Sequence, residues 1–158
     1  MERVKRVAIP YVVQAVKVGI AGVVAILAAR LLRLPQGYWA AISAFVVMGS
    51  DVRETVAASR GRFIGTAIGA ALGAVFVIMG GIHLLWFGVA VAATVLICKS
   101  LGLGQSYRLA CVTVAIVMLT GDAGSPWMIS THRFLEVSLG IVIALIISAL
   151  PPRSVDNR

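Results

Sequence analysis

Long apolar stretches follow one another along the chain with little polar sequence between them, and this feature constrains the fold most. They cover about residues 8–31, 37–50, 63–80, 82–98, 107–120 and 133–150. A helix that crosses a bilayer needs roughly 20 mostly apolar residues. Hydrophobic residues make up 60% of the chain and charged residues 13%, which is too apolar for a soluble domain. The sequence therefore predicts an integral membrane protein with six spans.

The stretches predict helices rather than the strands of a membrane barrel, because a barrel needs segments of about 10 residues that alternate apolar and polar. Val23 to Ala29 and Ile141 to Leu150 show no alternation. The basic start of the chain imitates a secretory signal, but the first apolar stretch continues to Ala29 without a clear cleavage site. We interpret it as a retained first span.

The basic residues predict the orientation of the spans. With the amino terminus in the cytoplasm, ten cations fall on the cytoplasmic side and three on the other, as the positive-inside rule requires. The ten are Arg3, Lys5, Arg6, Arg53, Arg60, Arg62, Lys99, Arg108, Arg153 and Arg158; the three are Arg30, Arg33 and Arg133. Six spans then place both termini, including a tail over residues 151–158, in the cytoplasm of a bacterial inner-membrane protein.

The second and fifth stretches are too short to cross a bilayer alone. Tyr38 to Gly49 and Leu109 to Thr120 each hold 12 residues, about 18 Å of helix, against a hydrocarbon core of about 30 Å. Each runs into a break, at Gly49–Asp51 and at Gly121–Pro126, before the chain resumes as helix. Asp51 with Glu54 resembles a capping box, and Ser125 before Pro126 is typical of a helix start.

A short internal repeat accounts for the pair of breaks. Arg62-Phe63 and Arg133-Phe134 open the same pattern, Arg-Phe-aliphatic-x-x-x-aliphatic-Gly, 71 positions apart. Repeat 1 would cover about residues 8–80 and repeat 2 about residues 82–150. Because each repeat holds three spans, the second would be inverted relative to the first. Short, glycine-interrupted helices at corresponding positions of inverted repeats indicate a transport site near the bilayer midplane.

Glycines mark the predicted helix contacts. Gly65, Gly69 and Gly73 recur every four residues on the third span, and Gly140 begins a matching ridge of small residues on the sixth. Such ridges let two helix backbones approach closely. They serve either the interior of the bundle or a dimer seam, and the sequence does not choose between these.

Three motifs give the chain a resemblance to a known family. They begin at Gly37-Tyr38-Trp39-Ala40, at Arg62-Phe63-Ile64-Gly65-Thr66, and at Ser106-Tyr107-Arg108-Leu109. In order and spacing the chain resembles the fusaric-acid-resistance and aromatic-acid-exporter proteins, to which the plant aluminium-activated malate channels are related. The resemblance implies a six-helix membrane unit that moves organic anions, often aromatic carboxylates, out of the cell.

The chain departs from that family pattern in its size. Family members commonly carry a cytoplasmic helical domain and often two six-helix units, whereas this sequence has one unit. A homodimer would rebuild the two-unit arrangement. A separate adaptor or cytoplasmic partner chain would be a second way to replace the missing domain.

Several cations are candidates for binding an organic anion. Lys17 is predicted near the middle of the first span, where a charge is costly and faces a cavity or a partner, with Gln14 one turn away. Arg62 and Arg133 hold equivalent repeat positions, predicted at opposite ends of the bundle, and a guanidinium suits a carboxylate. The alternatives stay open: Lys17 snorkels or pairs internally, Arg62 anchors the span at the headgroups, and Arg133 pairs with Glu136 along the helix.

The remaining candidates are aromatic, acidic or cationic residues near the span ends. Arg60 and Arg108 add cytoplasmic charge, and Tyr38, Trp39 and Tyr107 either contact an aromatic acid or form the interfacial aromatic belt. Asp51, Asp122 and Glu136 are candidates for proton coupling, with helix capping as the commoner role of the two aspartates. The histidines and cysteines have no metal-ligand spacing, so no metal or cofactor is predicted.

Two functions remain from the sequence. The first is a transporter or channel-like exporter of small organic anions that works as a homodimer, with substrate held between Lys17 and the paired breaks. The second is a membrane scaffold or regulatory subunit that does not transport. An enzyme is not expected, because no nucleophile with a base, no paired acids and no metal cluster can be assembled.

Overall fold

The structure is a computed structural model that describes residues 2–104, 106–120 and 125–150, with side chains from Tyr11 onward. Six helices and no strands are present in these ranges, which confirms the all-α fold class. The helices are α1 (Glu2–Leu31), α2 (Tyr38–Val47), α3 (Val52–Gly80), α4 (Leu84–Ser100), α5 (Tyr107–Leu119) and α6 (Pro126–Ala149). Three of them contain stretches that are long and apolar enough to cross a membrane: Tyr11–Leu31, Val52–Gly80 and Pro126–Ala149.

The starts of the two long helices α3 and α6 are set by side-chain caps. The Asp51 carboxylate accepts a hydrogen bond from the Glu54 backbone N–H at 2.7 Å. The Glu54 carboxylate accepts in turn from the Ser50 backbone N–H at 2.7 Å and from the Ser50 hydroxyl at 2.8 Å. At α6, the Ser125 hydroxyl accepts from the Met128 N–H at 3.4 Å, and Pro126 occupies the first turn. These bonds satisfy N–H groups that have no partner within the helix.

The short helices α2 and α5 each pack in parallel on one long helix. Moving along α3, Gly65 approaches Ser106, Gly69 approaches Ala110, and Gly73 approaches Val117, so α3 and α5 run in the same direction. On the other side, Gln36 bonds Glu136 and Gly140 approaches Ala40, so α2 and α6 also run together. The missing side chains of the glycines allow this close backbone contact.

The long helices α3 and α6 cross each other between these pairs. The rings of Phe63 and Phe134 lie 5.0 Å apart at the crossing. The Ser130 hydroxyl donates to the Ala70 carbonyl at 3.0 Å, so that α3 and α6 run antiparallel. Because α5 begins beside Gly65 and α2 begins beside Glu136, both short helices start close to the middle of the long helix that each contacts.

Two apolar cores fill the space on either side of the crossing. One joins α1, α2 and α6, and its α1 face consists of alanines at every fourth position, Ala21, Ala25 and Ala29, all fully buried. The other joins α3, α4 and α5 around Ala90, Val114 and Met118. Small residues dominate the first core because they let α1 lie close to its neighbours.

The structure confirms two predicted helix starts and corrects one predicted helix. The third and sixth helices begin at Val52 and Pro126, directly after the predicted caps at Asp51 and Ser125, and thus 11 and seven residues before the apolar stretches at 63–80 and 133–150. The second helix is not one helix interrupted at Gly49–Asp51. The chain reverses there, because Arg62 in α3 reaches back to Ser43 in α2. Hydropathy carries no information about such a reversal.

The turn after α4 has a glycine-dependent geometry. The Leu103 N–H donates to the Cys98 carbonyl at 2.9 Å and the Gly102 N–H to the Lys99 carbonyl at 3.1 Å, with Gly102 at φ +71°. This pair of bonds is a Schellman motif, which places a left-handed residue after the last turn. It directs the chain sharply from α4 toward the start of α5.

Candidate functional site

A buried polar cluster joins α6 to the start of α2. Arg133 and Glu136 are 4% and 1% exposed, and the Arg133 Nη1 lies 3.3 Å from the Glu136 Oε2. The Arg133 Nη2 also donates to the Gln36 side-chain oxygen, and the Gln36 backbone N–H donates to the Glu136 Oε1 at 2.9 Å. The guanidinium lies over the Trp39 ring at 4.4 Å, in cation–π range. We call Gln36, Trp39, Arg133 and Glu136 the Arg133 cluster.

A small cavity of about 160 Å³ opens beside the Arg133 cluster. Gln36, Arg133 and Glu136 line it together with Thr120, His132 and the apolar side chains of Pro35, Met128 and Ile129. The carboxylate of Glu136 already balances the guanidinium charge there. An anion that entered this cavity would have to compete with Glu136 for Arg133.

Arg62 is the second buried guanidinium, and its surroundings differ. It is 6% exposed, and its Nη2 donates to the Ser43 hydroxyl at 3.3 Å. Its Nε has no hydrogen-bond partner among the described residues, and no described carboxylate forms an ion pair with it. A buried charge is costly unless a partner neutralises it. Among the residues that the structure describes, Arg62 is therefore a buried cation without an anionic partner.

The two arginines can be compared position by position along their helices. Glu136 stands three residues after Arg133, and the residue three after Arg62 is Gly65. A Cβ on Gly65 would lie 2.7 Å from the carbonyl oxygen of Ser106, so the packing of α5 leaves no room for a side chain there. The contact that brings α5 against α3 thus excludes a carboxylate at the position of α3 that corresponds to Glu136 in α6.

Both arginines lie within the helical bundle rather than at its ends, which corrects the sequence prediction. Arg62 follows the first residue of α3 by ten positions, about 15 Å of helix, and Arg133 follows Pro126 by seven, about 10 Å. They should therefore not be counted among the cations that flank the spans.

Lys17 has an internal hydrogen-bond partner, which is one of the alternatives that the sequence leaves open. It is half-buried, and its ammonium donates to the Leu150 carbonyl at 2.7 Å, at the end of α6. Gln14, one turn away, donates to the Gly49 carbonyl at 2.7 Å. A cation at a helix C-terminus is stabilised by the helix dipole and by the unpaired carbonyls. Lys17 and Gln14 thus hold α1 against the end of α6 and the α2–α3 turn.

The aromatic candidates are already engaged with polar neighbours. The hydroxyl of Tyr38 donates to the Gln36 side chain at 3.0 Å, and its ring lies 5.6 Å from the Trp39 ring. The ring of Tyr107 has two cations near it, Lys99 and Arg108, each 5.8 Å from the ring centroid. Arg108 also donates to the Tyr107 hydroxyl at 3.3 Å.

Two of the three acidic candidates lie among the described residues. Asp51 caps α3, and Glu136 belongs to the Arg133 cluster, whereas Asp122 lies outside the described residues. In the parts of the chain that are described, no group of three His, Cys, Asp or Glu residues is placed to hold a metal ion.

One protein-family profile matches most of the chain. The profile of a family described as fusaric acid resistance protein-like matches residues 24–147. The chain belongs to this family. Neither a curated protein nor a solved structure matches it significantly.

Family membership and the apolar helices together support a multi-pass membrane protein. The family indicates a role in membrane transport or efflux. The relation to plant aluminium-activated malate channels stays a prediction. The matched range contains Ser43, Arg62 and the whole Arg133 cluster, so the buried guanidiniums lie in the part that defines the family.

Sequence reasoning missed the partners of both arginines. The sequence does not mark Gln36 or Ser43 as site residues, and it predicts Trp39 only as a substrate contact or as part of the interfacial aromatic belt. Glu136 was the exception, because its spacing of three from Arg133 is visible in the sequence. Gln36 lies 97 positions from Arg133, and no local pattern predicts that contact.

Proposed function

We propose that this chain is a membrane exporter of small organic anions, aromatic carboxylates among them, and that the anion binds at Arg62. The observation that carries the proposal is the buried Arg62 guanidinium, whose described hydrogen-bond partner is the neutral Ser43 hydroxyl. A carboxylate supplies both the missing charge and a planar acceptor for two parallel N–H groups. Ser43 would orient the guanidinium for that contact.

The contrast with Arg133 supports the choice of Arg62. Glu136 neutralises Arg133, whereas the close packing at Gly65 keeps the corresponding position near Arg62 free of a carboxylate. Arg133 then belongs to a structural ion pair with Glu136, and Lys17 caps the C-terminal end of α6. Tyr38, Trp39, Tyr107 and Arg108 stay predicted substrate contacts, although no described hydrogen bond or ring contact joins them to Arg62.

We further propose that the two halves of the chain are inverted repeats. Two matched contacts and one recurrence in the sequence support this. Gly69 meets the Ala110 carbonyl and Thr113, as Gly140 meets the Ala40 carbonyl and Ser43. Phe63 and Phe134, which are equivalent in the sequence repeat, contact each other, as residues beside a two-fold axis would. Leu32, Leu34, Gln36 and Tyr38 also recur as Leu101, Leu103, Gln105 and Tyr107, with a constant offset.

The same proposal includes six membrane crossings with both termini in the cytoplasm of a bacterial inner membrane. Without Arg62 and Arg133, nine cations fall on the cytoplasmic side and two on the other, and this distribution supports the orientation. A homodimer would supply the second six-helix unit common among the relatives that the motifs resemble. Whether protons are coupled to export would appear as a dependence of flux on a pH gradient.

The test is transport by the purified chain in liposomes. We expect uptake of labelled benzoate, and we expect Arg62→Gln to reduce it at least about tenfold, the effect of losing one charged hydrogen bond. Arg62→Lys should retain an intermediate rate, because it keeps the positive charge and loses the two parallel N–H donors of the guanidinium. Arg53→Gln removes an exposed cation from the same helix and serves as the matched control.

Thermal unfolding separates this effect from misfolding. Arg62→Gln should leave the midpoint Tm unchanged or raise it, because it removes an uncompensated buried charge. Flux that Arg62→Gln leaves at the level of Arg53→Gln would contradict the binding site. Absence of flux from the unmodified chain, for benzoate and for other small carboxylates, would favour a scaffold that does not transport.

A further inference from the structure

Arg60 stands at the meeting point of two grooves that the transport proposal does not use. An apolar groove of about 370 Å³ lies between α3 and α6, lined by Val56, Ser59, Phe63, Ile64, Ile141 and Leu145. A more polar groove of about 510 Å³ lies between α3 and the α4–α5 link, lined by Ala57, Gly61, Ile64, Gly102, Leu103, Gly104 and Ser106. Arg60 lines both grooves.

The cations at and near the polar groove form no ion pair with a described carboxylate. Arg60 is exposed and forms no ion pair with a described residue. Lys99 and Arg108 are also exposed and flank Tyr107, the residue that follows Ser106 of this groove. The carboxylates of Asp51 and Glu54 are engaged in the cap of α3. An anion in the polar groove would therefore meet Arg60, and no carboxylate among the described residues lines the groove to compete with it.

The apolar groove contains one unsatisfied polar atom. The hydroxyl of Ser59 is buried, with the residue 4% exposed, and has no hydrogen-bond partner among the described residues. The other lining side chains are aliphatic or aromatic, apart from Arg60 at the edge. A buried hydroxyl without a partner is costly. A ligand with a hydrogen-bond acceptor at the head of an apolar chain would satisfy it.

We propose that this pair of grooves binds one anionic phospholipid. The phosphodiester lies on Arg60, an acyl chain fills the apolar groove, and the headgroup extends into the polar groove. The ester carbonyl at the head of the chain accepts from the Ser59 hydroxyl. Charge complementarity and the single cation shared by an apolar and a polar groove favour this occupant, since basic pockets between membrane helices hold lipid phosphates.

Lipid binding to the purified full chain in detergent tests the proposal without any measurement of transport. Phosphatidylglycerol and phosphatidylcholine with the same acyl chains are titrated separately, and affinity is read by native mass spectrometry. Glycerol phosphate forms a third arm, because it carries the phosphate without the chain. We expect tight binding of phosphatidylglycerol, weaker binding of phosphatidylcholine, and no measurable binding of glycerol phosphate.

Three variants locate the site. Arg60→Gln should weaken phosphatidylglycerol binding about 10- to 100-fold, through loss of a charged hydrogen bond. Arg53→Gln, an exposed cation of the same helix that lines neither groove, should weaken it no more than about fivefold, the general effect of one surface cation. Val56→Trp fills the apolar groove at a side chain that is 41% exposed and should reduce binding of both lipids.

Three outcomes would overturn the inference. Equal affinity for the two lipids would exclude selectivity for a lipid of net negative charge, since both carry the phosphodiester and only phosphatidylcholine carries a compensating cation. Equal losses from Arg60→Gln and Arg53→Gln would reduce the effect to general surface electrostatics. Binding of glycerol phosphate as tight as that of phosphatidylglycerol would assign the polar groove to a soluble anion. Each variant is first shown to unfold at the same temperature as the unmodified chain, and Ser59→Ala replaces Val56→Trp if the latter fails.

Discussion

The glycine contacts between long and short helices predict a defined loss of stability on substitution. In Gly140→Ala, the added methyl group would collide with the carbonyl oxygen of Ala40 and lie 2.8 Å from the Cβ of Ser43, whereas ordinary contact begins at 3.4 Å. The obstacle includes backbone, so α2 must move away from α6 by at least about 0.6 Å. A gap of that size forfeits about a quarter of the dispersion attraction across a packed face.

We expect this movement to cost about 1–3 kcal/mol, the usual range for overpacking. For a chain of this size the corresponding fall in Tm is about 3–9 °C. Gly69→Ala should cost a similar amount, because its methyl group meets Ala110 and Thr113 in the same way. Gly88→Ala is the matched control, since a methyl group there would meet no atom within 4 Å.

Thermal unfolding in detergent can be followed with a thiol-reactive dye, because Cys98 is buried and Cys111 half-buried. All three substitutions are glycine to alanine, so their effects on the unfolded chain are the same and the difference isolates the contact. A Tm of Gly140→Ala within 1 °C of that of Gly88→Ala would refute the packing of α2 on α6. A loss in Gly140→Ala without one in Gly69→Ala would refute the equivalence of the two contacts.

Three further substitutions test other parts of the structure, each by the same unfolding measurement. Glu136→Ala should destabilise the chain by about 3–5 kcal/mol because it leaves Arg133 buried without a counter-charge, and replacing both residues by Met should recover most of that loss; no recovery would contradict the pairing. Asp51→Ala should cost about 1 kcal/mol through loss of the α3 cap, and an unchanged Tm would argue against that cap. Gly102→Ala should cost about 1–2 kcal/mol because of its positive φ, and Gly104→Ala, with open space around it, should cost less.

Much of the fold could be predicted from the lengths of the apolar stretches and from their punctuation. The break after the second stretch and the caps at Asp51 and Ser125 appear in the structure at those positions; most of the break after the fifth stretch lies outside the described residues. Hydropathy alone does not predict the first turns of α3. Thr55, Ser59 and Arg62 lower the hydropathy of the first turns of α3, but they are buried against other helices. Hydropathy measures composition, whereas burial depends on tertiary contacts.

The candidate site was predictable only where its contacts are local. The pairing of Arg133 with Glu136 follows from their spacing on one helix turn. The contact of Arg62 with Ser43 requires α2 and α3 to fold back on each other, and the bond from Lys17 to Leu150 joins residues 133 positions apart. Lys17 attracted attention because a charge within an apolar stretch is costly. Here the carbonyl of Leu150 at the end of α6 compensates the charge of Lys17, and the sequence around Lys17 does not predict this contact.

The difference between the two buried arginines bears on where an anion would bind under the proposed function. If both guanidiniums were unpaired, an anion would find two similar sites. Glu136 neutralises Arg133, while the contact of Gly65 with Ser106 excludes a carboxylate near Arg62. We infer that the chain offers one strong anion site, and that the Arg133 cluster holds α2 against α6 on the other side of the helix crossing. The asymmetry therefore comes from a single position, occupied by glycine in the first half and by glutamate in the second.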